Sequence, residues 1–195
     1  MKSNYTEIIF LLDRSGSMSG LEHETIGGYN SFIDKQSKLT GQTLVTTVLF
    51  DDKVEQLWSG VEACKVRLTK EDYFVRGSTS LMDAVGKTIL DVGHRLSRRE
   101  ERERPDKVIF VITTDGMENS SVEFSASQVK DLISHQQERY MWEFIFLGAN
   151  INAADEAMNI GIDIGNAYQF EASSKGVEEM YDVVSEAVLE KRIKW

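Results

Sequence analysis

A run of five apolar residues near the start of the chain, residues 8–12 (IIFLL), constrains the fold more than any other segment. An uninterrupted apolar run of this length predicts a strand buried on both faces, as in the centre of a parallel sheet. The sequence D-R-S-G-S follows at once and supplies a carboxylate, Asp13, and two hydroxyls, Ser15 and Ser17. Because ligands of open α/β sheets bind at the carboxyl ends of the strands, this loop is the first candidate for a functional site.

Further apolar or β-branched runs predict strands at 43–50, 108–112 and 144–147, and a weaker one within 162–170. Apolar residues at helical spacing predict helices around 26–33, 81–96, 129–133 and 177–188, and a short helix at 152–159. Alternating strands and helices predict a doubly wound α/β fold with a mostly parallel central sheet and helices on both faces. The segment 54–58 follows a tight turn and predicts one short antiparallel edge strand.

Length and composition place this sequence among single-domain proteins that bind neither nucleic acid nor membranes. We expect one domain over residues 1–195, since the chain holds one proline and no low-complexity tract. The formal net charge of −10 argues against nucleic acid or an anionic membrane surface as a partner. No apolar stretch is long enough to span a bilayer. The polar start and the lone Cys64 favour a cytoplasmic location without an internal disulfide.

Oxygen-bearing side chains follow three of the predicted elements. The first loop has Asp13, Ser15 and Ser17, a G-S-T-S segment before the second long helix has Thr79, and a T-D-G segment after the strand at 108–112 has Asp115. Taken alone, Thr79 is typical of a helix N-cap, and Asp115 with its glycine is typical of a turn. Their occurrence together predicts a set of hard oxygen ligands suited to Mg²⁺.

The same residues resemble the metal-ion-dependent adhesion site (MIDAS) of von Willebrand factor A-type (vWA) domains, the Rossmann-like fold also found as the integrin I domain. That site has a D-x-S-x-S loop, a later Thr and a still later Asp, in this chain order. The resemblance covers nearly the whole chain and assigns Asp13, Ser15, Ser17, Thr79 and Asp115 to the metal site. It implies that the three hydroxyls bind Mg²⁺, Mn²⁺ or Ca²⁺ directly, that the carboxylates often act through water, and that a partner's acidic residue takes the remaining position.

The resemblance implies a non-enzymatic, metal-dependent protein–protein interaction module of the bacterial or phage-type stand-alone vWA kind. An AAA⁺ ATPase-type assembly is one candidate partner, since stand-alone members of the family often resemble accessory subunits of such assemblies. The alternative is a Mg²⁺-dependent haloacid dehalogenase-like phosphohydrolase, which also places an Asp at the end of its first strand. That family requires a second acid two residues later, where this chain has Ser15, and the chain has no phosphate-binding loop or dinucleotide fingerprint.

Overall fold

Six strands form one sheet in the computed structural model, which describes residues 5–193. The strands are β1 (Thr6–Asp13), β2 (Thr43–Phe50), β3 (Val54–Glu62), β4 (Lys107–Thr114), β5 (Glu143–Ala149) and β6 (Ala167–Phe170). The helices are α1 (Glu22–Ser37), α2 (Leu81–Ser97), α3 (Ala126–Tyr140), α4 (Ala153–Asn159) and α5 (Ser174–Ile193). Residues 1–4, the first part of the polar start at residues 1–7, and residues 194–195 lie outside the described range.

The strand order is β3-β2-β1-β4-β5-β6, and β1 therefore lies in the middle of the sheet. Every pair is parallel except β2 with β3, which is antiparallel. The mostly parallel sheet with an antiparallel edge strand confirms the fold predicted from the sequence. The chain builds outward from β1 to β3 and then crosses back to β4, so the strand order reverses between β1 and β4. Ligands of doubly wound folds bind at such a reversal point.

Helices cover both faces of the sheet, and this explains the uninterrupted apolar run of β1. Ile8, Phe10 and Leu12 point to the layer that contains α1 and α5, where Phe10 contacts Tyr29 edge to face at 5.3 Å between ring centroids. Ile9 and Leu11 point to the opposite layer, which contains α2, α3 and α4. Since all eight residues of β1 are buried, the strand holds its carboxyl-terminal loop on a rigid base.

The edges of the sheet differ in extent from the sequence expectation. β3 is antiparallel as predicted but continues past the predicted segment 54–58 to Glu62. Its pairing with β2 is irregular and Gly60 has a positive φ of 62°, which removes the strict alternation that would mark a strand in the sequence. At the other edge, β6 occupies only the last four residues of the predicted segment 162–170, because a 3₁₀ turn at Ile164–Asn166 precedes it. Among residues 5–193, no helix is both long and apolar enough to cross a membrane.

Candidate metal centre

The two central strands bring the predicted carboxylates to the same edge of the sheet. Asp13 is the last residue of β1, and Asp115 directly follows the last residue of β4. The two strands are hydrogen-bonded neighbours, with Leu12 opposite Thr113. Both carboxylates therefore lie at the carboxyl ends of the strands between which the strand order reverses, where the sequence predicted a site.

The loop after β1 turns its two hydroxyls to one point. The Ser15 backbone N–H donates to Asp13 Oδ1 at 2.7 Å, which closes the loop onto the end of the strand. A short 3₁₀ turn, Gly16–Met18, follows and brings Ser17 back, so that Ser15 Oγ and Ser17 Oγ are 3.1 Å apart. Alternate residues of this loop thus present neighbouring oxygens.

Hydrogen bonds join this loop to the loop after β4. Ser17 Oγ donates to Asp115 Oδ1 at 2.5 Å, and Thr114 Oγ1 donates to Asp13 Oδ2 at 2.7 Å. The sequence did not indicate Thr114 as a contributor, although its position directly before Asp115 places it beside the end of β1.

Thr79 lies next to these residues and does not cap α2. The N-cap position of α2 belongs to Ser80, which makes no capping hydrogen bond with its side chain. Glu118 and Ser121 accept the hydrogen bonds from the N–H groups in the first turn of the helix, those of residues 82 and 83. The helix-cap interpretation of Thr79 is therefore wrong.

Gly116 shows how close the hydroxyls are to each other. A Cβ atom placed on Gly116 would lie 3.2 Å from Ser17 Oγ and 3.2 Å from Thr79 Oγ1. Both hydroxyls therefore border the same small space, which a side chain at position 116 would crowd. The structure thus brings together all five residues that the sequence singled out.

The carboxylates are buried in a way that disfavours their negative charge. Asp13, Ser15, Thr79 and Asp115 are at most 3% exposed, whereas Ser17 is exposed and marks the opening of the site. Burial raises the pKa of Asp115 to about 6; the hydrogen bond from Ser17 opposes the rise, and the charge of Asp13 adds to it. Burial also raises the pKa of Asp13, against hydrogen bonds from Ser15 and Thr114. A cation in contact with these groups would favour their charged forms.

The donor set fits a divalent cation. Asp115 Oδ2 is buried and has no hydrogen-bond partner among the described residues, although a carboxylate oxygen is a hydrogen-bond acceptor. Two carboxylates and three hydroxyls are oxygen ligands of the kind that Mg²⁺ and Ca²⁺ prefer. No group of three or more His, Cys, Asp or Glu side chains in residues 5–193 has the arrangement of a metal site. The serine and threonine hydroxyls are therefore essential to this candidate centre.

A buried arginine braces the first loop, and the sequence did not indicate it. Arg14 is fully buried; its Nε donates to Asp51 Oδ2 at 2.7 Å and its Nη2 to Glu55 Oε2 at 2.7 Å. Arg76 Nε donates to the same Asp51 oxygen at 2.7 Å. Burial acts to raise the pKa of Asp51, but hydrogen bonds from Arg76, the Lys53 backbone and Arg14 outweigh it and hold the pKa below its usual value. Asp51 therefore stays charged and joins the loop after β1 to the loop before α2.

The loop after β4 is attached to the Thr79 loop in a similar way. Asn119 Oδ1 accepts from the Thr79 N–H at 2.9 Å, and the Asn119 N–H donates to the Thr79 carbonyl at 3.1 Å. Asp83 accepts three backbone N–H groups of the same loop, from residues 122, 123 and 124. These contacts fix the backbone of Thr79 relative to Asp115.

Comparison with known proteins supports the fold through structure alone. No family model matches the chain, and no curated protein matches it. The vWF domain of the type V pili tip protein Mfa5 from Porphyromonas gingivalis is 9% identical with a TM-score of 0.71, covering 98% of this chain and 97% of that one. Proximal thread matrix protein 1 from the mussel byssus, with a zinc-occupied MIDAS motif, is 15% identical with a TM-score of 0.63. The manganese-loaded TRAP protein of Plasmodium vivax is 17% identical with a TM-score of 0.58 and matches 83% of this chain and 64% of its own.

These similarities identify the class of fold as a doubly wound α/β sheet of the type found in a pili tip protein and a byssus matrix protein. More specifically, the chain has the von Willebrand factor A-type fold. The match to the mussel protein covers 96% of this chain and 47% of that one, so the chain spans about half the length of that protein. At identities below 20%, the likeness establishes the fold, and the function is argued from the site.

Proposed function

We propose that this chain is a non-enzymatic protein–protein interaction module that binds an acidic residue of a partner through a divalent metal ion. The hydroxyls of Ser15, Ser17 and Thr79 would hold the ion directly, and the carboxylates of Asp13 and Asp115 would hold it directly or through water. Mg²⁺ is the first candidate, with Mn²⁺ and Ca²⁺ as alternatives, because all five donors are oxygens.

The observation that carries this proposal is the environment of Asp115. Its Oδ2 atom is buried without a partner, a second carboxylate lies nearby, and the hydroxyls of Ser17 and Thr79 border the adjacent Gly116. A buried acceptor without a partner costs about 1–3 kcal/mol. A divalent cation would remove that cost and offset the repulsion between the two carboxylates.

The same donor set explains why the partner would be acidic. Three of the five donors are neutral hydroxyls. When the two carboxylates contact the ion through water, they balance its positive charge only in part. A bound ion would supply local positive charge to a chain that is acidic as a whole, with a formal net charge of −10. The exposed Ser17 leaves that side of the site open to a carboxylate from another protein.

The solved structures agree with a divalent ion as the ligand. The mussel byssus protein has a MIDAS motif occupied by zinc, and the Plasmodium protein is loaded with manganese. The phosphohydrolase alternative has less support, because Ser15 holds the position of the second acid and lies beside Ser17 as a donor of the same set. We further propose a single domain over residues 1–195, a cytoplasmic location and an AAA⁺ ATPase-type assembly as a candidate partner.

Metal binding is tested by calorimetric titration of the purified chain with MgCl₂ and MnCl₂. We expect one site, lost in Asp13→Ala and retained in Asp34→Ala, which removes an exposed carboxylate from α1. Unchanged binding in Asp13→Ala, with a melting temperature close to that of the native protein, would refute the assignment.

Partner binding is tested by affinity capture with Mg²⁺ and with EDTA. We expect the captured protein to be lost with EDTA and in Thr79→Ala, and retained in Asp34→Ala. Replacing the acidic residues of that partner one at a time should identify one whose loss abolishes binding. A partner bound equally well with EDTA would show that this surface works without a metal.

A further inference from the structure

A cleft of about 400 Å³ opens at the edge of the sheet opposite to the candidate metal centre. Its walls are the second half of α2, the end of α3 and the segment that leads into β4, and Val108 near the start of β4 contributes to it. Clefts of this volume are in the size range of small-molecule sites. Nothing in the proposed metal-dependent function uses this region.

One wall of the cleft is a fixed aromatic surface. Trp142 is 7% exposed, and its indole ring stacks on Phe110 with ring centroids 5.4 Å apart and an interplanar angle of 19°. Phe110 in turn stacks on Phe144 at 4.9 Å. Because this stack belongs to the core of the sheet, the indole ring is held in place before any ligand arrives. A planar apolar group can pack against such a surface with little loss of conformational entropy.

A glycine in the second half of α2, Gly93, keeps the cleft open. A Cβ atom on Gly93 would lie 3.8 Å from Gln136 Nε2 and 3.9 Å from Trp142 Cη2, which are ordinary contact distances. Gly93 is also not among the glycines with positive φ. Neither packing nor backbone conformation therefore requires glycine here, although glycine is less favourable than alanine inside a helix. A longer side chain at this position would project between Gln136 and Trp142 and fill the space.

The polar groups around the cleft favour an anion. The Arg104 guanidinium donates to the carbonyls of Arg99 and Ser97, and no described carboxylate lies within ion-pair distance of it. Two histidines, His94 and His135, line the same cleft. Asp106 is the one carboxylate among the described lining residues, and its Oδ2 already accepts the Tyr5 N–H at 3.0 Å.

We propose that this cleft binds a small organic anion with a planar aromatic body. The aromatic body packs against Trp142 in the space beside Gly93, and the acidic group faces Arg104 and the two histidines. The site lies at the amino end of β4, whereas the metal centre lies at its carboxyl end, so the proposal is independent of the proposed function.

The probes are 1-anilinonaphthalene-8-sulfonate and its uncharged analogue N-phenyl-1-naphthylamine, which has the same aromatic body without the sulfonate. Both become fluorescent in apolar sites. We expect the sulfonate to saturate one site on the native chain and to bind about tenfold more tightly than the neutral analogue, because it gains a charge-assisted contact. Equal affinities of the two probes would overturn the assignment of an anion.

Two matched glycine variants test the location of the site. Gly93→Leu places a side chain in the cleft and should abolish binding of the sulfonate probe. Gly27→Leu makes the same change on α1, where a Cβ meets no atom within 4 Å, and should leave binding unchanged. Unchanged binding in Gly93→Leu, or equal losses in both variants, would overturn the proposal.

Two arginine variants test the charge and do not depend on the folding of Gly93→Leu. Arg104→Gln should weaken binding of the sulfonate probe about tenfold and leave the affinity for the neutral analogue unchanged. Arg102→Gln, at a neighbouring arginine whose side chain is 80% exposed and pairs with Glu100, should change neither. Loss of binding of both probes in Arg104→Gln would indicate damage to the cleft itself and would overturn the role of Arg104. Unchanged binding of both probes would also overturn that role.

Discussion

Replacing Asp51 by asparagine tests how the loops around the candidate metal centre are held. Asp51 is fully buried, and one of its oxygens accepts hydrogen bonds from both Arg14 and Arg76. Arg14 is fully buried as well, so it depends on protein groups to balance its charge. Asparagine keeps the shape of the side chain but removes the negative charge from the pair.

The structure sets the size of the expected effect. Removing one partner of a buried ion pair typically costs 3–5 kcal/mol, because the other charge stays buried without compensation. Arg14 keeps its bond to Glu55, whose side chain is 50% exposed, and the asparagine oxygen can still accept one bond. We therefore expect a loss near the lower limit, about 3 kcal/mol. For a chain of this length, that loss corresponds to a fall in melting temperature of about 6–12 °C.

Urea denaturation at pH 7, followed by circular dichroism, measures the change in the free energy of unfolding. Glu55→Gln is the matched control, since it removes the exposed partner of the same guanidinium and should cost about 1 kcal/mol or less. A loss below about 1 kcal/mol in Asp51→Asn, or equal losses in the two variants, would refute the role of Asp51. Mg²⁺ affinity should also fall by about tenfold in Asp51→Asn, because Asp51 no longer holds Arg14 in the loop after β1 and Arg76 in the loop before α2 together.

Four further outcomes follow from other contacts. Thr79→Ala should weaken Mg²⁺ binding in calorimetry while costing less than the ~1 kcal/mol of a lost helix cap, because the neighbouring residue holds the cap position. Burial acts to raise the pKa of Asp83, but three backbone N–H groups outweigh it and hold the pKa below its usual value. Its stabilisation is therefore complete above the unfolded pKa of about 3.9 and is lost as pH falls through the lower folded pKa, so urea midpoints of the native chain and Asp83→Asn should differ at pH 7 and converge in acid. Gly28→Ala should destabilise the chain by about 1–3 kcal/mol, because its Cβ would lie 2.1 Å from the ring of Tyr181. Gly27→Ala meets no neighbour and should raise the melting temperature.

The central strands could be predicted from the sequence because burial on both faces of the sheet produces continuous apolar runs. Strand residues buried on both faces of a sheet are mostly apolar, and the runs at 8–12, 108–112 and 144–147 lie within β1, β4 and β5. The carboxyl ends of these strands then placed the Asp13 and Asp115 loops at one edge. The edge strand β3 was harder to delimit, since its irregular pairing and a glycine with positive φ remove the alternation that marks a strand.

The bracing of the candidate site could not be predicted, because it depends on polar pairs between distant loops. Arg14 follows a buried strand in the sequence and would ordinarily be assigned to solvent. Its burial is possible only because Asp51 and Glu55, about forty residues later, balance its charge. Asn119 is equally uninformative in the sequence, and only its two hydrogen bonds to the Thr79 backbone show its role. Such pairs have no periodicity, so no local pattern predicts them.

Hydrogen bonds between three loops form a closed ring at the candidate centre. The loop after β1 bonds to the loop before α2, because the Gly16 N–H donates to the Gly77 carbonyl at 3.1 Å. The loop before α2 bonds to the loop after β4 through Thr79 and Asn119. The loop after β4 bonds back to the loop after β1 through Asp115 and Ser17. Each loop is thus held by both of the others, and most of these contacts use backbone atoms. The oxygens are therefore in place before an ion binds, and little conformational entropy is lost on binding. Replacing the Thr79 hydroxyl therefore removes a donor and leaves the ring intact, because Thr79 bonds to Asn119 through its backbone. Replacing Asp51 leaves every donor in place and loosens the link between Arg14 and Arg76 that positions two of the loops.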